Sequence, residues 1–189
     1  MDTIAAISTP HGIGGIAVIR LSGPEAFTIA ARHCQLPGNN ARTRDTVFRI
    51  GEEVLDETIV TTFPAPHSYT GDDTVEISCH GSLYIQQTLL QALLDSGARL
   101  AEPGEFTRQA FLNGRLNLSQ AEAVADLIDS TNAASHRLAV SQLRGGYAKE
   151  LEQILESLAP ATQEYLLLVA RELLNTQRKL LNSKQNGSV

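Results

Sequence analysis

The chain has 189 residues, 42% hydrophobic and 19% charged, a balance that belongs to a folded domain and excludes a disordered segment. Its net charge of −6 and pI near 5.3 exclude a protein held to nucleic acid mainly by phosphate contacts, which would need a basic excess. No signal-peptide pattern opens it, no apolar run approaches the ~18 residues of a membrane span, and Cys34 and Cys79 form no CxxC or disulfide framework, so cytoplasm is the expected compartment.

Residues 4–7 and 16–21 are predicted as strands around the turn 9–15, TPHGIGG. Gly12, Gly14 and Gly15 form GxGG, but the segment that follows, IAVIRL, is a strand. A dinucleotide fingerprint would open a helix there, so a tight turn against a ligand or a subunit partner is the better reading. Pro24 opens a helix to about Cys34, and residues 38–40 are a loop. Residues 47–50 and 54–62 cluster β-branched side chains around Gly51, a hairpin. A loop punctuated by Pro64, Pro66 and Gly71 leads to a strand at 74–79, and an amphipathic helix runs from Ser82 through Leu94 to a stop at Gly97.

Residues 103–117 read as a charged loop presenting Glu105, Arg108 and Arg115. Ser119 and Glu122 stand at capping-box spacing, and Ala121, Val124, Ala125 and Ile128 then mark one buried helical face. Beyond residue 118 there is no strand signal. Val140, Leu143, Tyr147, Leu151, Ile154 and Leu158 form a helical seam, interrupted by Gly145-Gly146 at roughly 1 kcal/mol per glycine. Pro160 breaks it, and a last helix is expected over about 161–181. Arg137, Arg144, Lys149, Arg171, Arg178, Lys179 and Lys184 alternate with acids and polar residues and read as solvated helix faces. The expected architecture is a mixed α+β domain over 1–117 followed by an all-α segment over 118–189. A helical set that short needs a partner surface, either the first domain or a second copy.

Glu76 sits between Val75 and Ile77, so period two sends it to the opposite face, where it is either solvated or lines a pocket. Arg20 is a surface ion pair or a planar donor fork, and Arg115 a helix-end charge or a carboxylate receptor. The five histidines show no metal-ligand spacing. Cys79 and His80, adjacent on a strand, do not suit a nucleophile–base pair; Cys79 reads as a buried cysteine, and His80 as a pocket-mouth or structural residue.

Four blocks carry a family resemblance: TPHGIGGIAVIRLSGPEA at 9–26, FPAPHSYTGDDTVEISCHG at 63–81, PGEFTRQAFLNGRLNLSQAEAVADLIDS at 103–130 and RGGY at 144–147. Together they resemble the N-terminal domain and the start of the helical domain of the tRNA-modification GTPase family called MnmE or TrmE, over about residues 1–150. The resemblance implies a folate-binding domain like that of aminomethyltransferases, with 5-formyltetrahydrofolate or another tetrahydrofolate one-carbon derivative as cofactor. Arg20, Glu76 and Arg115 match the family's folate-contacting positions, the last being lysine in some relatives. A pterin's amino group and ring N–H form a two-donor edge that an ionised carboxylate accepts well. The resemblance also implies a homodimer through the N-terminal domain, an MnmG-type flavoprotein partner in wobble-uridine modification, and only indirect or weak contact with tRNA.

No GxxxxGK[ST] stretch is present, so no GTP, magnesium or potassium site is expected in this chain. The family's terminal CxGK is absent too, and a truncated copy and an internally deleted one both fit the sequence. Three functions stand side by side. The first is the folate-binding and dimerisation portion of such a GTPase; the second is a stand-alone one-carbon enzyme using Asp72, Asp73 or Glu105 as acid or base; the third is a dimerising scaffold whose folate site has decayed.

Overall fold

Alternation of buried positions with less buried ones runs along residues 16–21, 55–60 and 75–79 and writes the middle of the sheet. In the computed structural model, which describes residues 2–37, 42–146 and positions 153, 154, 162, 164, 165 and 168–172, the strands are β1 (Ile4–Ile7), β2 (Ile16–Ser22), β3 (Thr43–Ile50), β4 (Glu53–Phe63), β5 (Thr74–His80) and the short β6 (Arg99–Leu100). They form one sheet in the order β3-β4-β5-β2-β1-β6, antiparallel except for the β1–β6 pair. The fold is mixed α+β.

One face of the sheet carries the core. Ile19 and Leu21 of β2, Val60 of β4 and Val75 and Ile77 of β5 pack with Ala26 and Ile29 of helix α1 (Ala26–Ala31) and with Leu89 and Leu93 of helix α2 (Leu83–Asp95). Burying each large aliphatic side chain contributes roughly 1.5–3 kcal/mol. The residues between them along β2 and β5, Arg20, Ser22, Glu76 and Ser78, are thereby sent to the other face. Gly51, at φ 60°, turns β3 into β4, and Gly97, at φ 113°, follows α2.

Several expectations change here. Residues 105–112, expected as a charged loop, form helix α3 (Glu105–Leu112), entered through Gly104 at φ 73°. Helix α4 (Leu118–Ile128) does have a reciprocal cap, but Ser119 and Glu122 do not make it. Asn117 Oδ1 accepts the Gln120 N–H at 2.8 Å, and Gln120 Oε1 accepts the Asn117 N–H at 3.0 Å. Asn117 and Gln120 share the same cap spacing two residues earlier, which puts Ser119 inside the first turn. The predicted buried face also fails: Ala121 and Val124 are half-buried, Ala125 and Ile128 are exposed, and Ala123 is the residue buried.

The chain divides into two compact units, Met1–Ala125 and Asp126–Val189. In the second, helix α5 (Ala133–Leu143) starts at Asn132, whose Oδ1 accepts the N–H groups of Ala134 and Ser135. Gly145, at φ 79°, follows the C-cap residue Arg144 and ends α5, and Gly146 is helical again, so the seam is interrupted at the glycine pair as expected. The expected loop at 38–40, Tyr147, Leu151, Leu158, Pro160 and most of the helix expected at 161–181 lie outside the described residues. No described helix is long and apolar enough to cross a membrane.

Candidate functional site

The register between β2 and β5 sets Arg20 directly opposite Glu76, on the face away from α1 and α2. Arg20 Nε and Nη2 both donate to Glu76 Oε1, at 2.9 and 2.7 Å, while Glu76 Oε2 takes no hydrogen bond among the described residues. The two side chains are 23% and 27% exposed, sheltered enough to be ordered and open enough to be reached. The Arg20 guanidinium carbon lies 5.1 Å from the Tyr69 ring centroid and 5.4 Å from that of Phe106, within cation–π range of both.

Tyr69 is held by a turn that is tied down on all sides. The hydroxyls of Ser22, Thr70 and Thr74 are buried and linked, with Ser22 Oγ 2.7 Å from Thr70 Oγ1 and 3.0 Å from Thr74 Oγ1. The Gly71 N–H donates to Ser68 Oγ at 2.9 Å. Asn113 Nδ2 donates to the Thr70 carbonyl at 2.8 Å and to Asp72 Oδ2 at 2.9 Å. Arg115 Nε donates to the Ser68 carbonyl at 3.2 Å. Gly71 has φ 87°, and a Cβ there would stand 3.1 Å from Arg115 Cγ and Asn113 Cβ. The Tyr69 hydroxyl pairs with Thr107 Oγ1 of α3 at 2.8 Å.

Of the three residues singled out in the sequence, Arg20 and Glu76 are thus in direct contact. Arg115 reaches them only through the 68–72 turn, and its Nη atoms make no hydrogen bond among the described residues. Tyr69 and Phe106 were missed by sequence reasoning. Phe106 would have been found once residues 105–112 were seen as a helix, because Phe106, Gln109 and Ala110 share an i, i+3, i+4 face.

The three carboxylates considered as acid or base candidates are all engaged. Glu105, 3% exposed, takes Arg99 Nη2 at 2.7 Å and Arg108 Nη2 at 2.9 Å on Oε1, and Arg99 Nη1 at 3.1 Å and the Glu102 N–H at 2.8 Å on Oε2. The hydrogen bond from Arg99 is the main cause of a carboxyl held down to about 2. Asp72 receives Asn113, and Asp73 Oδ1 accepts the Ala65 N–H at 2.8 Å. The Arg99–Glu105 pair joins β6 to α3 as a brace.

At the other end of β2 the glycine turn packs on its own chain. The Gly14 N–H donates to the Gly81 carbonyl at 3.2 Å, and Gln86 Nε2 donates to the carbonyls of Gly12 and Gly81. His80 Nδ1 pairs with buried Asp56 Oδ1 at 2.7 Å, and His80 lines an open groove of about 280 Å³ whose lining includes neither Arg20 nor Glu76. Cys34 and Cys79 are buried and free, and burial pushes both thiols up to about 11, with Asp56 adding to it at Cys79. They are packing residues, inert as nucleophiles at neutral pH. No metal-ligating cluster occurs among the described residues.

Fold and site define a mixed α+β domain joined to helices, with a carboxylate–arginine–aromatic cluster on the sheet face that the core helices leave open. Residues 3–115 match the family model described as "GTP-binding protein TrmE N-terminus". The chain is 53% identical over 167 residues, 84% of its length, to the tRNA modification GTPase MnmE of Parabacteroides distasonis. It is 54% identical over 166 residues to that of Bacteroides fragilis and 48% identical over 169 residues to that of Porphyromonas gingivalis. The matched region is 35–36% of each relative, so the chain spans about a third of their length. The chain belongs to the TrmE N-terminal family.

Proposed function

We propose that this chain is the tetrahydrofolate-binding and dimerisation portion of a tRNA wobble-uridine modification GTPase of the MnmE type, one that hydrolyses no GTP by itself. Family membership supports the pathway. The observation that carries the cofactor reading is Glu76, an in-register partner of Arg20 on an open sheet face, with one carboxylate oxygen left unbonded. A reduced folate offers the two-donor edge that such a carboxylate accepts, while its glutamyl carboxylates suit the unbonded guanidinium nitrogens of Arg115. The binding module is favoured over the stand-alone one-carbon enzyme because Asp72, Asp73 and Glu105 are all committed to structural bonds. It is favoured over a scaffold with a decayed site because Arg20, Glu76 and Arg115 are all present.

Calorimetric titration with 5-formyltetrahydrofolate tests it. Saturable binding is expected, and Glu76→Ala is expected to weaken it about ten- to a hundred-fold, the ~1.5–3 kcal/mol of a charge-assisted contact. A folded chain that binds no reduced folate sinks this reading and leaves the scaffold.

A further inference from the structure

Residues 113 and 114 are Asn-Gly, the dipeptide in which an asparagine amide is most readily lost, because a following glycine leaves its own backbone nitrogen free to close on the amide carbon. Both residues are exposed, and a Cβ at Gly114 would meet nothing within 4 Å, so neighbouring groups obstruct neither water nor ring closure. The same asparagine is a latch. Its Nδ2 donates to the Thr70 carbonyl at 2.8 Å and to Asp72 Oδ2 at 2.9 Å, holding the 68–72 turn against the end of α3. Both partners are acceptors, so only an N–H group satisfies them. The Gly114 N–H, whose nitrogen is the one able to attack, donates to the Phe111 carbonyl at 3.0 Å. The folded chain thus keeps both reacting groups engaged while leaving them within reach of solvent.

We propose that Asn113 is a spontaneous deamidation site gated by this latch, and that its product cannot latch again. The Gly114 nitrogen gives up its proton and bonds to Asn113 Cγ; the Cγ–Nδ2 bond breaks, and ammonia leaves with that proton. Water then opens the cyclic imide. Cleavage at Cγ yields aspartate and cleavage at the backbone carbonyl yields isoaspartate, with one water consumed, one ammonia released and nothing oxidised or reduced. Either product sets a carboxylate where two acceptors need a donor, so the Thr70 carbonyl loses its N–H and Asp72 faces a like charge. Isoaspartate also adds a methylene to the backbone ahead of Arg115, whose N–H and Nε–H donate to the Ala110 and Ser68 carbonyls. The 68–72 turn is then untied from the α3–α4 connection, whatever the neighbouring sheet face binds.

Ageing the purified chain in a mildly alkaline buffer and mapping its peptides by mass, with isoaspartyl methyltransferase to label isoaspartate, tests this. The map separates residue 113 from the second Asn-Gly, Asn186-Gly187. Conversion at Asn113 is expected in the folded chain, at least about tenfold slower than in the same chain unfolded in urea, since reaction waits on a local opening of about 1.4 kcal/mol or more. Asp72→Ala removes one of the two acceptors that hold the amide and should speed conversion in the folded chain. In the aged sample, the backbone amide signals of residues 68–72 should split into a second set that grows with the product at residue 113. Asn113→Asp should unfold at a lower urea concentration than Asn113→Ala, which loses the same bonds without adding a charge. No conversion in the folded chain over a time in which the unfolded chain reacts fully overturns the site. Equal rates folded and unfolded, or no acceleration in Asp72→Ala, overturn the gate. Amide signals at 68–72 that stay in place, or an Asn113→Asp variant as stable as the parent, overturn the latch.

Discussion

Glu105 enters α3 with every carboxylate oxygen bonded, and its pH dependence follows from that. Its carboxyl is held down to about 2 from an ordinary 4.5, chiefly by the Arg99 hydrogen bond. A depressed folded-state value stabilises the fold fully above the unfolded value, and the contribution is lost as pH falls through 4.5 toward 2. The size is on the order of 3 kcal/mol. Urea midpoints at pH 6 should therefore separate the parent from Glu105→Gln clearly, and the gap should close by pH 2; a gap unchanged at pH 2 would refute the brace. At this scale the sequence was only half readable. It offered Arg20 and Glu76 as separate residues, each with a bland alternative, because their meeting depends on strands 56 residues apart in sequence. The same holds for Tyr69, whose place beside Arg20 is set by hydroxyls from β2 and β5 and by side chains from the α3–α4 connection.

Among the elements, β1, β2, β4, β5 and α2 were legible from clustered or periodic apolar residues, with Gly51 and Gly97 marking the stops, and α1 from Pro24, though it is shorter than expected; only the end of β3 was, because its first four residues, from Thr43, are polar. β6 has two residues and no period to detect. α3 was hidden by Pro103-Gly104 before it and by a helix face built on the polar Glu105 and Gln109. The cap of α4 was misplaced by two residues because NLSQ and SQAE both carry the cap spacing, and only the hydrogen bonds choose. The choice is measurable: Asn117→Ala should cost about 1 kcal/mol in urea unfolding, whereas Ser119→Ala should stay within about 0.5 kcal/mol. The reverse order would restore the sequence-based cap. Gly81→Ala probes the glycine turn, since a Cβ there collides with the Gly14 carbonyl backbone, which cannot swing away like a side chain. It should cost about 1–3 kcal/mol, read as a lowered urea midpoint.

For the molecule as a whole, the chain matches about a third of relatives that are named GTPases, and it carries no GxxxxGK[ST] among its 189 residues. Ligand binding and nucleotide hydrolysis should therefore come apart in it. The pieces of the proposed folate site, β2, β5, the 68–72 turn, α3 and Arg115, all fall within the first compact unit. With GTP and magnesium the purified chain should release no phosphate above buffer, and 5-formyltetrahydrofolate titrations should give the same affinity with or without GTP. Its charge of −6 also removes the usual electrostatic basis for holding RNA, so tRNA should bind no tighter than the ~10⁻⁴–10⁻⁶ M of non-specific contact at physiological salt. Phosphate release that scales with chain concentration, or folate affinity that moves with GTP, would place a nucleotide site within these residues and contradict the division. Folate binding without turnover would instead make this segment a receptor whose chemistry is completed by parts of the relatives that it does not match.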